Sequence, residues 1–253
     1  MDVGRYGEIL LECFPDLSVT SIRYLGGGTY RVFEAIVDTP VTDGCRAIFR
    51  FPHGGQGGSY LLRERLLSHV LAPRLPVPVP RYEFFASGCP SFPWPVAGYR
   101  MIPGTCLQDA NLGQLIRQRL AEEIGRFLSA LHCIPPRAVQ PTGLPWMDPP
   151  AVAAKQQALY NAIIRHGFPI LSKLERAWTS ELFSSFLSSS ENHFFEPVLI
   201  HGDLDSSNIL CDPVAGRLLG IIDFEEARLG DPAWDFCVLR AEHGAEFQRT
   251  MLQ

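Results

Sequence analysis

The spacing of apolar residues changes near residue 112, and this change restricts the folds that the chain can adopt. Before that point, short β-like runs are bounded by glycine and proline, and only residues 60–72 have the spacing of a helix. After it, five apolar side chains recur on one helical face: Leu120, Ile124, Phe127, Leu128 and Leu131. The sequence therefore predicts a β-rich first part and a helical second part.

From this pattern we predict an α+β fold with two lobes. A small antiparallel β N-lobe with one helix spans residues 1–99, a hinge linker spans 100–106, and a larger, mainly helical C-lobe spans 107–253. The Gly- and Ser-rich residues 54–59 predict a flexible loop. The expected strands are residues 18–24, 31–37, 46–51, 96–102, 198–200, 209–211 and 218–222, and residues 151–188 are expected to be helical with a break near 167–169.

Composition excludes several classes of protein. The 253 residues carry 27 acidic and 22 basic side chains, a net charge of −5, which disfavours a nucleic-acid binder. The sequence contains no run of 18 apolar residues, so no membrane span is expected. The first residues lack the apolar core of an export signal. The seven cysteines are scattered, without a CxxC pair, and are expected to be reduced thiols. We therefore expect a cytoplasmic monomer that acts on small molecules.

One polar segment, residues 201–225, has the spacing of a phosphoryl-transfer site. His201, Asp203 and Asn208 follow a buried strand in the pattern His-x-Asp-x-x-x-x-Asn, and Asp223 follows a later strand. Asp203 would take the proton of an acceptor hydroxyl. Asn208 and Asp223 would supply the hard oxygen ligands that Mg²⁺ prefers. The alternative is a polar turn between buried strands, without chemistry.

Two further residues of this segment are assigned by position. His201 is expected to be structural, holding the loop by hydrogen bonds. Asp205 is either a supporting partner of the catalytic groups or a solvated loop acid, and the sequence leaves both readings open.

The runs LIHGDLDSSNIL and GIIDFEEARLGDPAWDF resemble the aminoglycoside phosphotransferase family of kinase-like enzymes. The likeness is strongest to the 2″-phosphotransferase branch, and macrolide phosphotransferases come next. The resemblance implies a protein-kinase-like two-lobe fold, an NTP co-substrate and Mg²⁺. It also implies that Asp231 and Asp235 are structural residues of the family's continuation, with Asp235 bonded to the catalytic loop.

The resemblance also places a nucleotide in the N-lobe. Gly27, Gly28 and Thr29 lie between two predicted strands, where a backbone without Cβ atoms can approach phosphates. An ordinary hairpin turn is the alternative. Arg50 occupies the position where kinase-like enzymes carry a strand lysine, and Glu64 is its expected helical partner. A simple surface ion pair would explain the same two residues.

The linker that contains Tyr99, Arg100 and Ile102 is expected to read the nucleobase through its backbone. Because a bulky aromatic residue here resembles the 2″-phosphotransferases that use GTP, Tyr99 suggests that GTP is accepted and even preferred. If Tyr99 only packs in the core, ATP is the default co-substrate.

The acceptor is expected to be a small molecule, because only twelve residues separate Asp223 from Asp235 and leave no room for a long activation loop. The last 53 residues carry ten acids and four bases. This excess would attract a polycationic aminoglycoside, and the candidate substrate residues are Asp205, Glu225, Glu226 and Glu242. A macrolide or another hydroxyl compound is the alternative acceptor. Relatives continue further beyond the DPxxD motif with helices that help to form the acceptor pocket.

Two other functions stay open at this point. Arg50 in place of lysine and a loose glycine loop are compatible with a nucleotide-binding pseudokinase, although Asp203, Asn208 and Asp223 are all present. A metal-dependent hydrolase using His201, Asp203 and Asp223 would need additional histidine ligands with suitable spacing, which the sequence does not offer.

Overall fold

The computed structural model describes residues 2–39 and 42–253. Its helices are α1 (Val3–Cys13), α2 (Gly55–Leu71), α3 (Gln114–His132), α4 (Pro136–Val139), α5 (Pro149–Ala162), α6 (Lys173–Ser188) and α7 (Trp234–Met251). Its strands are β1 (Ser18–Gly26), β2 (Tyr30–Thr39), β3 (Thr42–Pro52), β4 (Phe84–Ala86), β5 (Val96–Arg100), β6 (Thr105–Cys106), β7 (Val198–Ile200), β8 (Ile209–Asp212), β9 (Arg217–Ile221) and β10 (Arg228–Gly230). None of the described helices has the length and hydropathy needed to cross a bilayer.

The N-lobe is built around a five-stranded antiparallel sheet in the order β1-β2-β3-β5-β4. Alternation along the strands sends side chains to opposite faces. Phe33 and Phe49 pack on one face with residues of α1, whereas Ile48 packs on the other face with Leu61 of α2. Since Arg50 is two residues from Ile48, it shares the face that α2 covers.

Two parts of the N-lobe differ from the sequence-based expectation of one helix. Helix α1 was not predicted; Asp2 caps it by accepting from the Arg5 N–H, and it buries Ile9 and Leu10 on the sheet. Helix α2 begins at Gly55, so the predicted flexible loop at 54–59 is wrong for most of its length. The reason is packing: a Cβ on Gly57 would lie 3.0 Å from the Pro52 side chain, so the glycine lets the helix approach β3.

The C-lobe packs around α3, whose predicted apolar face is confirmed. Leu120, Ile124, Phe127, Leu128 and Leu131 are all buried in the larger core of the molecule. The predicted break between the two following helices is also confirmed, because α5 ends in a π-helical turn, Ile163–Gly167, before α6 begins.

Two small antiparallel sheets carry the polar segment of the C-lobe. Strand β7 pairs with β10, and β8 pairs with both β6 and β9. Strand β6 lies within the predicted linker at 100–106 and belongs to a C-lobe sheet, whereas Arg100 ends β5 in the N-lobe sheet. The α+β, kinase-like two-lobe architecture predicted from the sequence is confirmed, and the polar segment lies where the two lobes meet.

Candidate active site

The loop from His201 to Asn208 is fixed at its start by the first turn of α7. Asp235 is 1% exposed, and its carboxylate accepts from the backbone N–H groups of His201 (3.0 Å) and Gly202 (2.9 Å). His132 of α3 lies 3.0 Å from the same carboxylate. A buried carboxylate with three such partners holds the loop where the buried strand β7 ends.

His201 connects this loop to the end of β9. Its Nε2 atom donates to the Ile222 carbonyl (2.9 Å), and its Nδ1 atom accepts from the Asp203 N–H (3.3 Å). His201 is fully buried, so these two bonds join the Asp203 backbone to the residue before Asp223 from within the core.

Asp203, Asn208 and Asp223 approach one another through this arrangement. The Asn208 Nδ2 atom donates to the Asp203 carbonyl (2.9 Å), and the Asn208 carbonyl accepts from the Ile222 N–H (2.9 Å). Asp203 and Asp223 both line a cavity of about 270 Å³ between the lobes. Asp223 is the only non-glycine residue of the described chain with a positive φ, 66°, a conformation that clusters at functional sites.

Arg50 crosses from the N-lobe to this cluster. Its Nη1 atom donates to both carboxylate oxygens of Glu64 (2.7 Å each) and to the Tyr82 hydroxyl (3.0 Å), and its Nη2 atom donates to Asp223 Oδ1 (2.8 Å). The guanidinium also lies 4.0 Å from the centre of the Tyr30 ring. Because the Arg50 and Glu64 side chains are only 6% and 2% exposed, the alternative of a surface ion pair is excluded.

Glu64 joins helix α2 to the segment after Asp223. Its Oε1 atom accepts from the Phe224 N–H at 3.2 Å. One buried carboxylate therefore positions both Arg50 and the backbone beside the candidate metal ligand.

The glycine loop covers the same cavity. Gly27, Gly28 and Thr29 line it together with Arg50 and the two aspartates. Gly27 has φ 148°, and a Cβ there would fall 1.8 Å from the Tyr30 carbonyl, so only glycine fits. The turn between β1 and β2 thus brings bare backbone over the cavity.

The electrostatics of the cavity favour a proton acceptor at Asp203. Partial burial raises the pKa of the Asp203 carboxyl, Asp205 and Asp223 add to the rise, and His201 opposes it. Its carboxylate has no hydrogen-bond partner within the described ranges. Burial also raises the pKa of Glu64, against the charge of Arg50, while the carboxylates around Arg50 outweigh its burial and raise its pKa further.

The donor set fits a magnesium ion that a nucleotide brings. Within residues 2–39 and 42–253 no group of three or more His, Cys, Asp or Glu side chains forms a metal cage. Mg²⁺ needs no such cage, because it keeps waters and substrate phosphates and takes one or two protein oxygens. Asp223 offers a carboxylate that is 40% exposed. Asn208 is buried beside it, outside the lining of the cavity, with its amide nitrogen bonded to the Asp203 carbonyl.

A profile of the phosphotransferase enzyme family, APH, matches residues 24–253. The chain belongs to this family. The resemblance found in the motifs at 199–210 and 220–236 is therefore confirmed.

Solved structures of similar fold match almost the whole of this chain. The GDP and kanamycin complex of APH(2″)-IIIa has a TM-score of 0.86 at 28% identity, covering 98% of this chain and 81% of that one. The macrolide 2′-phosphotransferase MphH from Brachybacterium faecium has a TM-score of 0.76 at 22% identity, covering 97% and 80%, a likeness of fold alone. Both branches named by the sequence are found among the structural neighbours.

One curated relative, viomycin phosphotransferase of Streptomyces vinaceus, is 28% identical over 178 residues. The match covers 69% of this chain and 59% of that protein, so the chain spans less than two thirds of this relative's length.

The four acids proposed to face a substrate fall in different surroundings. Asp205 Oδ1 accepts from the N–H groups of Ser207 (2.8 Å) and Asn208 (3.2 Å), so it stabilises the turn of the loop. Glu242 Oε2 accepts from the N–H and the hydroxyl of Ser206, so it too is bonded to the loop. Groups of the loop therefore engage one oxygen of each carboxylate, and contact of these two acids with a substrate stays a prediction.

The other two acids line the cavity. Glu225 is half-buried, 3.7 Å from Arg50, and burial raises its pKa against the Thr29 hydrogen bond and the Arg50 charge. Glu226 is 61% exposed and lies 3.9 Å from Arg228. Asp231, expected to be structural, accepts from the Ala233 N–H (2.9 Å) where α7 begins.

Of the three residues predicted to lie at the nucleobase, two have buried side chains and one has an exposed side chain. Tyr99 is buried against Tyr82, with ring centres 5.4 Å apart, and so lies one contact from Arg50. Ile102 is buried where the chain passes between the lobes. The Arg100 side chain points outward to Glu83 (2.9 Å). The expectation that the backbone here reads the nucleobase stays a prediction.

Four residues of the site were not predicted from the sequence. Tyr82 and Tyr30 contact Arg50, His132 contacts Asp235, and Ser206 contacts Glu242. No motif marks Tyr82, which follows the proline-rich residues 73–80. The position of Ser206 between Asp203 and Asn208 could have indicated that it belongs to the site.

Proposed function

We propose that this chain is a phosphotransferase that moves the γ-phosphoryl group of a nucleoside triphosphate to a hydroxyl group of a small acceptor. The observation that carries the proposal is the shared cavity, where the Asp203 and Asp223 carboxylates face a glycine loop and a buried arginine. The family match supports the reaction class.

In this proposal each residue has one task. Asp203 accepts the proton of the acceptor hydroxyl. The hydroxyl oxygen forms a bond to the γ-phosphorus, and the bond from that phosphorus to the bridging β-oxygen breaks. Asn208 and Asp223 would hold Mg²⁺, which neutralises charge on the phosphates when bound. Arg50 fixes Asp223, and Gly27 and Gly28 place backbone near the phosphates.

GTP is the proposed co-substrate, supported by the buried position of Tyr99 and by GDP in the APH(2″)-IIIa complexes. Turnover with ATP and GTP should be compared directly. Equal turnover with both would remove the argument from Tyr99.

An aminoglycoside is the proposed acceptor, because kanamycin occupies the APH(2″)-IIIa complex. The acidic excess supports this acceptor less strongly than the sequence suggested, because Asp205 and Glu242 already accept hydrogen bonds from the loop. The proposal therefore depends on the relatives more than on the acidic excess.

A less polar acceptor such as a macrolide is the second candidate, and one cavity favours it. A space of about 270 Å³ lies beside Trp234, whose Nε1 atom donates to the Gly202 carbonyl (2.9 Å) next to Asp203. Its lining includes Met147, Val152 and Ile200. This surface is mostly apolar and also carries basic side chains, which suits a polycation poorly.

Nucleotide turnover tests the proposal against its alternatives. Release of NDP that depends on kanamycin, viomycin or a macrolide supports the phosphotransferase and identifies the acceptor class. Nucleotide binding without turnover supports a pseudokinase, and phosphate release from esters other than nucleotides supports a hydrolase.

Replacing Asp203→Ala should lower acceptor-dependent turnover by about 10²–10⁴-fold, because the hydroxyl loses its proton acceptor. Nucleotide binding, measured by calorimetry, should stay close to that of the wild type. Asp212→Asn is the matched control, since Asp212 caps the exposed turn after β8 through Val214 and Ala215. Unchanged turnover in Asp203→Ala would exclude this role.

A further inference from the structure

Ser206 lies at the centre of the catalytic loop and is bonded on the side away from the cleft. It is 3% exposed, between Asp203 and Asn208. Its N–H (3.1 Å) and its hydroxyl (2.6 Å) both donate to Glu242 Oε2 on α7, and its carbonyl accepts from the Gln108 N–H (3.1 Å). The middle of the loop is therefore attached to the C-terminal helix.

A directional chain of hydrogen bonds runs through this serine. Arg117 can only donate, so its Nη2 atom, 3.2 Å from His243 Nδ1, makes that nitrogen the acceptor. The neutral imidazole then carries its proton on Nε2, which donates to Ser206 Oγ at 2.7 Å. The serine hydroxyl passes its own proton toward Glu242. Each of the four groups thus has a consistent donor or acceptor role.

This arrangement does not activate a nucleophile. In a nucleophilic triad the acid bonds to the histidine, and the histidine accepts the hydroxyl proton. Here the carboxylate bonds to the serine itself, the histidine donates to it, and the serine is buried. The contacts fit the support of a loop.

We propose that Glu242 and His243 act as positioning residues. Through Ser206 they hold Asp203 and Asn208 at fixed positions relative to each other. The inference rests on the proposed phosphotransferase function and gives Glu242 a part in it that differs from substrate binding. A displacement of about 1 Å in a catalytic group can cost 10²-fold in rate. Loss of the attachment should therefore act on the chemical step.

Glu242→Gln and Ser206→Ala test the proposal by separating kcat from KM. Both should lower kcat by about 10–100-fold with little change in KM for the acceptor or the nucleotide. The double variant should lose little more than the worse single variant, because both remove one connection. Glu246→Gln is the matched control, an exposed acid of α7 beyond the kink at Gly244. A raised acceptor KM at unchanged kcat in Glu242→Gln would overturn the proposal in favour of substrate binding.

Hydrogen exchange of residues 203–208 gives a readout that needs no acceptor. Exchange should become faster in Glu242→Gln and Ser206→Ala and stay at the wild-type rate in Glu246→Gln. Unchanged exchange in both variants overturns the attachment itself. If the wild-type protein turns over no acceptor, the proposed function fails, and the exchange rates still decide whether α7 holds the loop.

Discussion

At the scale of single residues, Arg50 is a buried cation, with a side chain that is 6% exposed. A buried cation is tolerated only when charged and polar partners compensate its lost hydration. Glu64, Tyr82 and Asp223 supply these partners, and the forked guanidinium reaches both lobes at once. A lysine ammonium could not reproduce this geometry, because it has one charged centre.

Replacing Arg50→Ala should lower the free energy of unfolding by about 3–5 kcal/mol, because Glu64 would stay buried without its cation. Urea unfolding of the two proteins measures the difference. Arg23→Ala is the matched control: Arg23 pairs with Glu34 but is 69% exposed, and its loss should cost less than about 1 kcal/mol. Equal, small losses in both variants would show that Arg50 is not the buried centre described above.

At the scale of elements, the contact between α3 and α7 positions Glu242, which is bonded to Ser206 in the loop from His201 to Asn208. Gly125 of α3 faces the end of α7, where a Cβ would lie 2.2 Å from the Met251 carbonyl. The helices approach this closely only because the glycine has no side chain. Arg117 of α3 and His243 of α7 meet along the same pair of helices.

Gly125→Ala should therefore destabilise the protein by about 1–3 kcal/mol, as overpacking does. Helix propensity alone predicts the opposite sign, a gain of about 1 kcal/mol. Gly7→Ala in α1 is the control, since its Cβ would meet only Ile22, at 3.8 Å. Thermal or urea unfolding that shows both alanines to be neutral or stabilising would contradict the close contact.

At the scale of the whole molecule, several polar contacts between described residues join the N-lobe to residues 221–224. Arg50 bonds Asp223, Glu64 bonds the Phe224 N–H, and the Pro78 carbonyl accepts from the Ile221 N–H (3.1 Å). Arg50 and Asp223 also line the cavity, so its geometry depends on the lobes staying together.

Stability should fall with acid partly through His243. Burial lowers the pKa of its imidazole, Arg117 lowers it further, and Glu242 opposes both. The unfolded chain then binds a proton near pH 6.5 that the folded chain resists, so stability is present above that pH and is lost as pH falls. Between pH 7 and 5, the free energy of unfolding of His243→Gln should change less with pH than that of the wild type. The difference between the two slopes should be smaller than about 1.4 kcal/mol per pH unit, the value for one full proton. An identical pH dependence in both proteins would contradict this.

Sequence patterns predicted the features that depend on local order. The apolar face of α3, the strands around residues 198–222 and the family motifs all follow from spacing along the chain. The glycines of α2 misled the analysis, because their packing on Pro52 and Pro95 is a tertiary effect. Tyr82 and the bond from Glu242 to Ser206 arise from contacts across long sequence separations, which no local pattern reports.

The central claim is that this cleft transfers a phosphoryl group to a hydroxyl with Asp203 as the proton acceptor. Mass spectrometry of the acceptor, after incubation with Mg²⁺, GTP and either the wild-type protein or Asp203→Asn, tests it most directly. The account predicts an acceptor that gains one phosphoryl group with the wild type and stays largely unmodified with the variant. GTP consumed with no phosphorylated acceptor, or equal modification by both proteins, would contradict it.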